Sequence, residues 1–448
     1  MKKKIIILGA GISGLATCWF LKQKFQDQVE ILVLEKNSQT GGLIKTTSET
    51  FLFEWGPRSC RTKGSGLYTL HLIEQLQLQD QLIKPSINAK QRYLFWKGKL
   101  RQIPNSFLNL LKSPWAYPLL LAPIKDLFAK RKLDDETIDA FARRRFGNSL
   151  APIFMDALVT GIYAGNCRSL SIESCFPNLK NLEKKYGSII IGAIKNRQND
   201  HIVSPFVKEW SKQPLFSFRK GMETLTKSLE EKCRENIKVD ASIVSLNFDK
   251  QKGHIQTETK DAYIADLVIS TIPDFQLKQI LGYSQFTPDH YTSVVVVCVG
   301  FLKPVLQKKG FGCIITTCEQ IPLLGIVWDS DVFPEQNNYN DETRLTFMLG
   351  GERDVSYGNK TDEEIQKDVI HYLNIILSIK EKPTSLIIRR INRCIPQFKI
   401  EKKKQKEQFI HMVSKSYNNL KLLGSNYCGV SVNDCIKGAF DLVEQLSF

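Results

Sequence analysis

Three glycines and one acid near the start of the chain have the types and spacing to hold a phosphorylated ligand. Gly9, Gly11 and Gly14 stand in the run Gly9-Ala10-Gly11-Ile12-Ser13-Gly14, and Glu35 follows the pattern at about twenty residues. Gly9 allows a tight turn, Gly11 lets backbone approach a pyrophosphate, and Gly14 lets a helix sit close on a sheet. The anion rests at the helix N-terminus, where free N–H groups and the macrodipole favour negative charge. Glu35 can accept hydrogen bonds from ribose hydroxyls. This chemistry needs particular elements around it, and the sequence supplies them. Lys4–Leu8 is a short apolar run of the kind that forms a buried parallel strand. A helical pattern continues through Ala16, Trp19, Phe20 and Leu21, and Val29–Leu34 reads as a second buried strand ending at Glu35. Strand, glycines, helix, strand and acid together make a dinucleotide-binding fingerprint.

Further glycine-rich turns point to FAD rather than a nicotinamide. Gly41-Gly42-Leu43 follows Glu35 closely, and Glu54-Trp55-Gly56-Pro57-Arg58-Ser59 comes soon after. Near the other end, Leu420–Gly424 reads as a strand, and Ser425 to Asp434 leads into a last helix. Its N-terminus, around Val430-Ser431-Val432, could offer N–H groups to a flavin N1–C2=O edge. This set resembles the two-dinucleotide-binding-domain flavoproteins, in which the glycine pair reaches back to the phosphates and later turns approach the isoalloxazine. One departure is Gln39, where such proteins often carry Arg, and it puts one phosphate contact in doubt.

With 448 residues the chain is long enough for two or three domains and a sizeable core. A hydrophobic fraction of 42% and a charged fraction of 24% exclude a disordered chain. The net charge of +16 points to an anionic membrane surface or an acidic substrate, because no nucleic-acid module is visible. The eleven cysteines are scattered; Cys313 and Cys318 lie close together, but no second pair completes a zinc site. Buried free thiols and no metal are expected. The basic start Met1–Lys4 leads into the glycine fingerprint and not into a cleavage site, so no cleaved signal peptide is expected. No apolar run reaches the roughly 18 residues of a spanning helix.

Leu67–Leu82 has helical spacing, and Gln91 to Arg101 reads as a hairpin turning at Lys97-Gly98-Lys99. In Pro104–Lys132, aromatic residues and leucines alternate with lysines and arginines, and Asp126 is the one acid. That composition suits a membrane interface; lysines snorkelling from an ordinary core would read the same way. Arg143-Arg144-Arg145 reads as a solvated helix face, and so does Lys402–Lys406. Gly161 to Asn166 reads as a glycine-flanked turn able to line a site. Strands are expected at Ile237–Val239, Ser242–Val244, Gly253–Thr257, Ala262–Ile264, Asp266–Pro273 and Ser293–Gly300. A β-rich region then runs to Gly351, followed by a helix over Thr361–Leu377 and a strand over Ser385–Arg390.

With these residues laid out, the chain resembles the FAD-containing, oxygen-dependent protoporphyrinogen oxidase family over nearly its whole length. The most specific segments are Gly56-Pro57-Arg58, the Arg92-Tyr93-Leu94 hairpin, Gly161–Asn166 with Leu170-Ser171-Ile172 and Ser174–Pro177, Leu324–Val327, Phe333–Gln336, Met348–Gly351, and Gly429–Cys435. The resemblance implies an α/β fold: a Rossmann-like FAD-binding domain with a β-rich substrate domain and a helical membrane-binding domain. The FAD-binding domain would comprise 1–88, 196–283 and 410–448, the substrate domain 89–103 and 284–409, and the helical domain 104–195. FAD contacts would come from Gly9, Ala10, Gly11, Ile12, Ser13, Gly14, Glu35, Gly41, Gly42, Leu43, Gly56, Pro57, Arg58, Ser59, Ile243, Ser425, Val430, Ser431 and Val432.

The same resemblance implies an oxidoreductase of heme biosynthesis that oxidises a porphyrinogen to a porphyrin. Six electrons leave in three two-electron steps through FAD to O2, giving hydrogen peroxide. Arg92 would pair with a substrate propionate, Leu324 and Met348 would sandwich the ring, and Gly161 would let backbone approach the macrocycle. On residue type alone, Leu324 and Met348 read as plain core. No side chain is expected to act as catalytic acid or base, since His71, His201, His254, His290, His371 and His411 form no constellation. The implied location is peripheral, on the cytoplasmic face of a bacterial cell membrane or on the inner mitochondrial membrane, and a homodimer is allowed. Alternatives are coproporphyrinogen III oxidation, an amine or carotenoid oxidoreductase on the same fold, and a basic membrane-surface protein whose FAD is structural only.

Overall fold

The computed structural model describes residues 2–195, 204–249, 252–283 and 289–448, so His201 lies outside the described residues. It divides into two compact units, one formed by Met1–Lys84, Val203–Asp289 and Lys404–Phe448, the other by Pro85–Ile202 and His290–Lys403.

The first unit is built on a five-stranded parallel sheet in the order Ile237–Lys238, Val29–Leu34, Lys3–Leu8, Leu267–Ser270, Leu420–Leu422. The Lys3–Leu8 strand is central, and Ile5, Ile6, Ile7 and Leu8 are wholly buried. Successive side chains of a strand point to opposite faces, so this run serves two cores. Ile5 and Ile7 pack with Leu15, Leu21, Leu225 and Ile436, from the helices Ile12–Phe25, Glu223–Cys233 and Val432–Gln445. Ile6 and Leu8 pack with Leu246, Ile255 and Val268, under the antiparallel strands Ile243–Asp249, Lys252–Thr257 and Ala262–Ala265.

The second unit carries a seven-stranded sheet in the order Ser385–Gln397, His290–Phe301, Thr343–Gly350, Leu323–Val327, Gly312–Ile315, Tyr93–Trp96, Lys99–Gln102. Its pairs are antiparallel except Gly312–Ile315 with Tyr93–Trp96. Lys97 and Gly98, both at positive φ (53° and 65°), turn the terminal hairpin. The helix Asp362–Leu377 covers one face, opened by a capping box between Thr361 and Glu364. On the other face Leu94 and Ile314 pack with Trp115 and Ala157 of the helical segment. That segment comprises Phe107–Leu111, Ala116–Phe128, Ile138–Phe146, Asp156–Tyr163, Ile172–Cys175, Pro177–Tyr186 and Ile189–Lys195.

Several expectations are corrected. The arginine triplet is not a solvated face. Arg145 is wholly buried, donating to Asp126 Oδ1 (3.0 Å), Glu183 Oε1 (2.5 Å) and the Gly187 carbonyl (2.7 Å). Arg144 bonds Glu136 and Glu183, and buried Lys180 donates to Glu183 Oε2 at 3.1 Å. Asp126, the one acid of the basic stretch, lies inside with them, accepting also from the Ser188 hydroxyl at 2.5 Å. Lys403 and Lys406 are likewise not solvated: Lys403 pairs with Glu173 (2.6 Å) and Asp135 (3.2 Å), and Lys406 with Asp289 (3.4 Å). Gly161 and Tyr163 belong to a helix, which Ala164 ends in the left-handed conformation. The helix expected over Leu67–Leu82 stops at Gln75, and the strand from Ser385 runs on to Gln397 through a positive-φ Arg393. Trp115 is buried against Trp96 and Phe154 and so is not part of any membrane face. Cys318 is exposed, against the expectation of buried thiols. Among the described residues no helix is long and apolar enough to cross a membrane.

Burial alone would raise the Glu183 carboxyl, but bonds from Arg144, Arg145, the Lys132 amide and Lys180 bring it down to about 2. A depressed carboxyl contributes stability that is present above its unfolded value near 4.5 and is lost as pH falls toward about 2. Hydrogen exchange within 104–195 should therefore speed up over that window, less so in Glu183→Gln. Arg145→Leu, which leaves buried Asp126 without its cationic partner while Glu183 keeps Arg144 and Lys180, should cost about 3 kcal/mol of local opening free energy. Unchanged protection in both variants would refute the role of the cluster.

Candidate functional site

In the first unit the strand Lys3–Leu8 ends at Gly9, whose φ of +96° turns the chain into the helix Ile12–Phe25. At Gly14 a Cβ would lie 1.9 Å from the Gly9 carbonyl oxygen, so the helix can approach the turn this closely only because that residue is glycine. Gly11 is different. Its φ of −73° is open to any residue, and a Cβ there would meet nothing within 4 Å. The space in front of Gly11 is thus open, and the first-turn N–H groups of the helix border it, with no side chain capping them. Gly42 stacks against this point, its Cβ position 3.2 Å from Gly11 Cα, and the Gly41 amide donates to the Ala10 carbonyl at 2.9 Å.

Glu35 is 7% exposed. Its Oε2 accepts from the Ala10 amide (2.8 Å), and its Oε1 from the amide (3.0 Å) and side chain (2.8 Å) of Asn37. The acid is therefore fixed beside the glycine turn. Ile243 lies on the neighbouring strand, packed near Leu34 and Ala241, and the Ala241 amide donates to the Glu35 carbonyl at 2.8 Å. Half-exposed Leu43 follows the glycine pair, and Gly56 passes so close that a Cβ would lie 2.1 Å from the Leu43 carbonyl oxygen. The Arg58 carbonyl accepts from the Ser217 hydroxyl at 2.9 Å, which fixes the turn at Pro57 and Ser59. At the far end of the chain, Ser425 opens a short helical turn. Ser431 caps the helix Val432–Gln445 by accepting from the Asp434 amide at 3.1 Å, with Val430 just ahead of it. That helix packs on Ile12–Phe25, so Ile12 and Ser13 of one helix and Val432 of the other belong to one neighbourhood.

Anion-ready N–H groups, an open space in front of Gly11 and a fixed buried carboxylate match the pyrophosphate and ribose of a dinucleotide. FAD fits the residues present. Sequence reasoning gave no individual role to Asn37, Glu54 or Asn433. Buried Glu54 accepts from the Met222 amide (2.6 Å) and the Thr46 hydroxyl (2.8 Å), tying the Thr46–Glu54 hairpin to the start of a helix. Asn433 bonds the Thr69 hydroxyl (2.7 Å) and the Arg61 carbonyl (2.9 Å). Only Asn37, two residues after the acid, had a local signal.

In the second unit Gly161 and Met348 meet one face of the sheet, and Leu324 stands at a bulge beside Met348. Gly161, in the helix Asp156–Tyr163, has its Cβ position 3.0 Å from Ile314 Cδ1. Ile314 pairs with Gly325, and Gly325 with Met348. Leu323 pairs with Leu349 one position along, so Leu324 is the extra residue of a β-bulge. Leu324 is 4% exposed and Met348 half-buried. Arg92 immediately precedes the hairpin strand Tyr93–Trp96. It is exposed, with its guanidinium 5.0 Å from the centre of the Phe311 ring. His290 bonds Glu352 and His254 bonds Asp249, and neither stands in an acid–base constellation.

The cradle yields a sharp contrast. Gly11→Val should lose FAD, read as flavin absorbance per protein, and melt at the temperature of the FAD-free wild type. Gly14→Val should melt below even the FAD-free wild type, because its side chain meets backbone. A Gly11→Val protein with full flavin content would overturn the placement.

The comparisons with known proteins agree with this geometry. Residues 12–441 match the family of flavin containing amine oxidoreductases. A protoporphyrinogen oxidase of Schizosaccharomyces pombe is 31% identical, with 99% of this chain and 98% of that protein covered. One from Homo sapiens is 31% identical, with 98% and 97% covered. A coproporphyrinogen III oxidase of Staphylococcus aureus is 24% identical, with 97% of each covered. Among solved structures, an Exiguobacterium protein proposed to be a protoporphyrinogen oxidase superposes with a TM-score of 0.82 at 22% identity, over 99% of this chain and 98% of that one. The fold is accordingly of the flavin amine oxidase type. The chain belongs to the flavin-containing amine oxidoreductases, carries FAD as its cofactor, and within that family groups with the protoporphyrinogen oxidases.

Proposed function

We propose that this chain oxidises protoporphyrinogen IX to protoporphyrin IX in heme biosynthesis. The observation that carries the reading is the full-length similarity to protoporphyrinogen oxidases at 31% identity, joined to a glycine cradle in which a Cβ at Gly11 would meet nothing within 4 Å. FAD, when bound, accepts two electrons at a time and passes them to O2, so three rounds convert porphyrinogen and three O2 into porphyrin and three hydrogen peroxide.

The chain's own residues supply binding and orientation. The N–H groups at Gly11 and the carboxylate of Glu35 would hold the pyrophosphate and ribose, and the helix start at Val430-Ser431-Val432 would offer N–H groups to the flavin. Leu324 and Met348 offer the macrocycle an apolar surface, with Gly161 at its border. Arg92, exposed at the start of the hairpin, would take a propionate in a charge-assisted pair. No acid or base is assigned, because the reaction needs a held geometry more than a proton shuttle. The specialised reading is favoured over coproporphyrinogen III oxidation, since the relative with that activity stands at 24% identity.

The helical segment supports peripheral attachment to an anionic membrane, either the cytoplasmic face of a bacterial cell membrane or the inner mitochondrial membrane. Leu108, Leu111, Tyr117, Leu120, Ile124, Leu127, Phe128 and Leu133 are all exposed, Phe128 at 84% and Tyr117 at 75%. Lys112, Lys125, Lys130, Arg131 and Lys132 stand among them. Phe107's side chain lies outside the described residues. Substituting Tyr117, Leu120 and Phe128 together by Ser should abolish pelleting with anionic liposomes, and the wild type should release partly with salt, since screening acts over about 8 Å at physiological ionic strength. Equal partition of the two proteins would remove the attachment site.

Anaerobic mixing with protoporphyrinogen IX should bleach the flavin and produce porphyrin fluorescence, faster than mixing with coproporphyrinogen III. In Arg92→Ala, KM should rise about ten- to a hundredfold, the worth of one charge-assisted bond, with normal FAD content and a smaller change in kcat. Arg92→Lys should recover part of the loss, because it keeps the charge without the planar fork. Absence of bleaching would remove the proposed activity; a wild-type KM in Arg92→Ala would remove the propionate contact alone.

A further inference from the structure

One buried cation in the second unit has no part in the chemistry above. Arg353 follows the Gly350-Gly351 turn, and its side chain is 10% exposed. Its Nη1 donates to the Leu323 carbonyl at 2.8 Å. Its Nη2 donates to the Thr160 hydroxyl at 3.2 Å and to the Ile315 carbonyl. The Asp156 carboxylate is 4.0 Å away and is itself held by the Thr317 amide at 2.9 Å. One guanidinium thus joins the helix Asp156–Tyr163, the end of the strand Gly312–Ile315 and the start of the strand Leu323–Val327.

The places it touches are specific. Thr160 immediately precedes Gly161. Leu323 immediately precedes Leu324, the bulge residue, and a bulge is where a strand re-aims a side chain. Burial pulls the guanidinium below its usual range, so enclosing it is a cost the hydrogen bonds must offset. An apolar side chain would fill this space without that cost, but it would bond neither carbonyl and would not fix the helix to the sheet. The chain around Arg353 braces the same joint: the Glu352 amide donates to the Ala164 carbonyl at 2.8 Å, at the end of that helix.

We infer that Arg353 is a positioning residue for the macrocycle: it sets the separation between the Gly161 helix and the bulged Leu324, and so shapes the surface on which the tetrapyrrole lies. The inference rests on the reading that the substrate lies against Leu324. Arg353 does not touch the substrate, and its effect passes through the backbone at Thr160 and Leu323. The planar fork is essential, because a lysine reaches one acceptor with a point charge where the guanidinium reaches three in fixed directions.

The test uses the FAD-loaded enzyme and titrates protoporphyrin IX, the product, by fluorescence, alongside KM, kcat, FAD content and melting temperature. Arg353→Lys should raise the porphyrin Kd and KM about ten- to a hundredfold, with full FAD content and a smaller loss in kcat. Thr160→Val, which removes only the helix-side acceptor and is the decisive variant where Arg353→Lys fails to fold, should raise Kd about three- to tenfold. The double variant should be no worse than Arg353→Lys alone, because the two residues act through one bond. Leu324→Ser separates the possible failures. If it weakens porphyrin binding while Thr160→Val and any folded Arg353→Lys bind as wild type, the clamp is wrong and the substrate face stands. If Leu324→Ser also binds as wild type, the substrate face is wrong and the clamp falls with it. A lowered melting temperature with an unchanged Kd would make Arg353 merely structural.

Discussion

The dinucleotide cradle depends on one close approach, that of the helix Ile12–Phe25 to the turn at Gly9. The Gly14 Cβ position lies 1.9 Å from the Gly9 carbonyl oxygen, so any side chain would push the helix outward. A displaced helix would carry its free N–H groups away from the open space at Gly11 and would separate Ala10 from Glu35. The apolar runs on the two flanking strands act in the same direction. Because Ile5 and Ile7 bury toward the helices while Ile6 and Leu8 bury toward the other layer, the Lys3–Leu8 strand cannot slip by one residue without inverting both cores.

Beside a buried apolar set that includes Ile138, Phe141 and Val159, the helical segment encloses a cluster of charges. Asp126, Arg145, Lys180 and Glu183 are wholly buried, while leucines, a tyrosine and a phenylalanine of the same segment face outward. Such an interior is stable only because each charge is met by opposite charges and by backbone carbonyls at short range. Asp126 sits on the helix that carries exposed Tyr117, Leu120 and Phe128, so the buried ion pairs hold that helix by its inner side and leave its apolar side free. An apolar core would have held the helix less specifically, since apolar contacts are not directional; ion pairs with defined partners fix both its rotation and its depth.

Charge plays a second positional role at the sheet of the same unit. Along a regular strand, Leu324 would alternate predictably with its neighbours. The bulge breaks that alternation and brings Leu324 and Gly325 opposite the step from Leu349 to Met348. The Leu323 carbonyl at this irregularity accepts from Arg353, so the distortion is held by a side chain from a neighbouring turn and not by the ladder. Here, as in the helical segment, an enclosed cation secures geometry that apolar packing would leave loose.

The sequence by itself determined the cradle. Its turn, helix start, two strands and acid lie within the first thirty-five residues, and each follows from a local rule: glycine where Cβ cannot fit, apolar runs where both sides are buried, an acid at a strand end. It also determined the hairpin at Lys97-Gly98 and the helix after Thr361, which rest on turn and capping chemistry. The roles proposed for Leu324 and Met348 came from family resemblance, because by type and pattern they do not differ from core. Tertiary structure alone decided the fate of the charges. Arg145 reads as a surface residue until Asp126, 19 positions earlier, and Glu183, 38 positions later, are brought to it. Lys403 and Arg353 follow the same logic. A charged side chain is buried or exposed according to whether the fold delivers its partners, and no window of sequence around it contains that information.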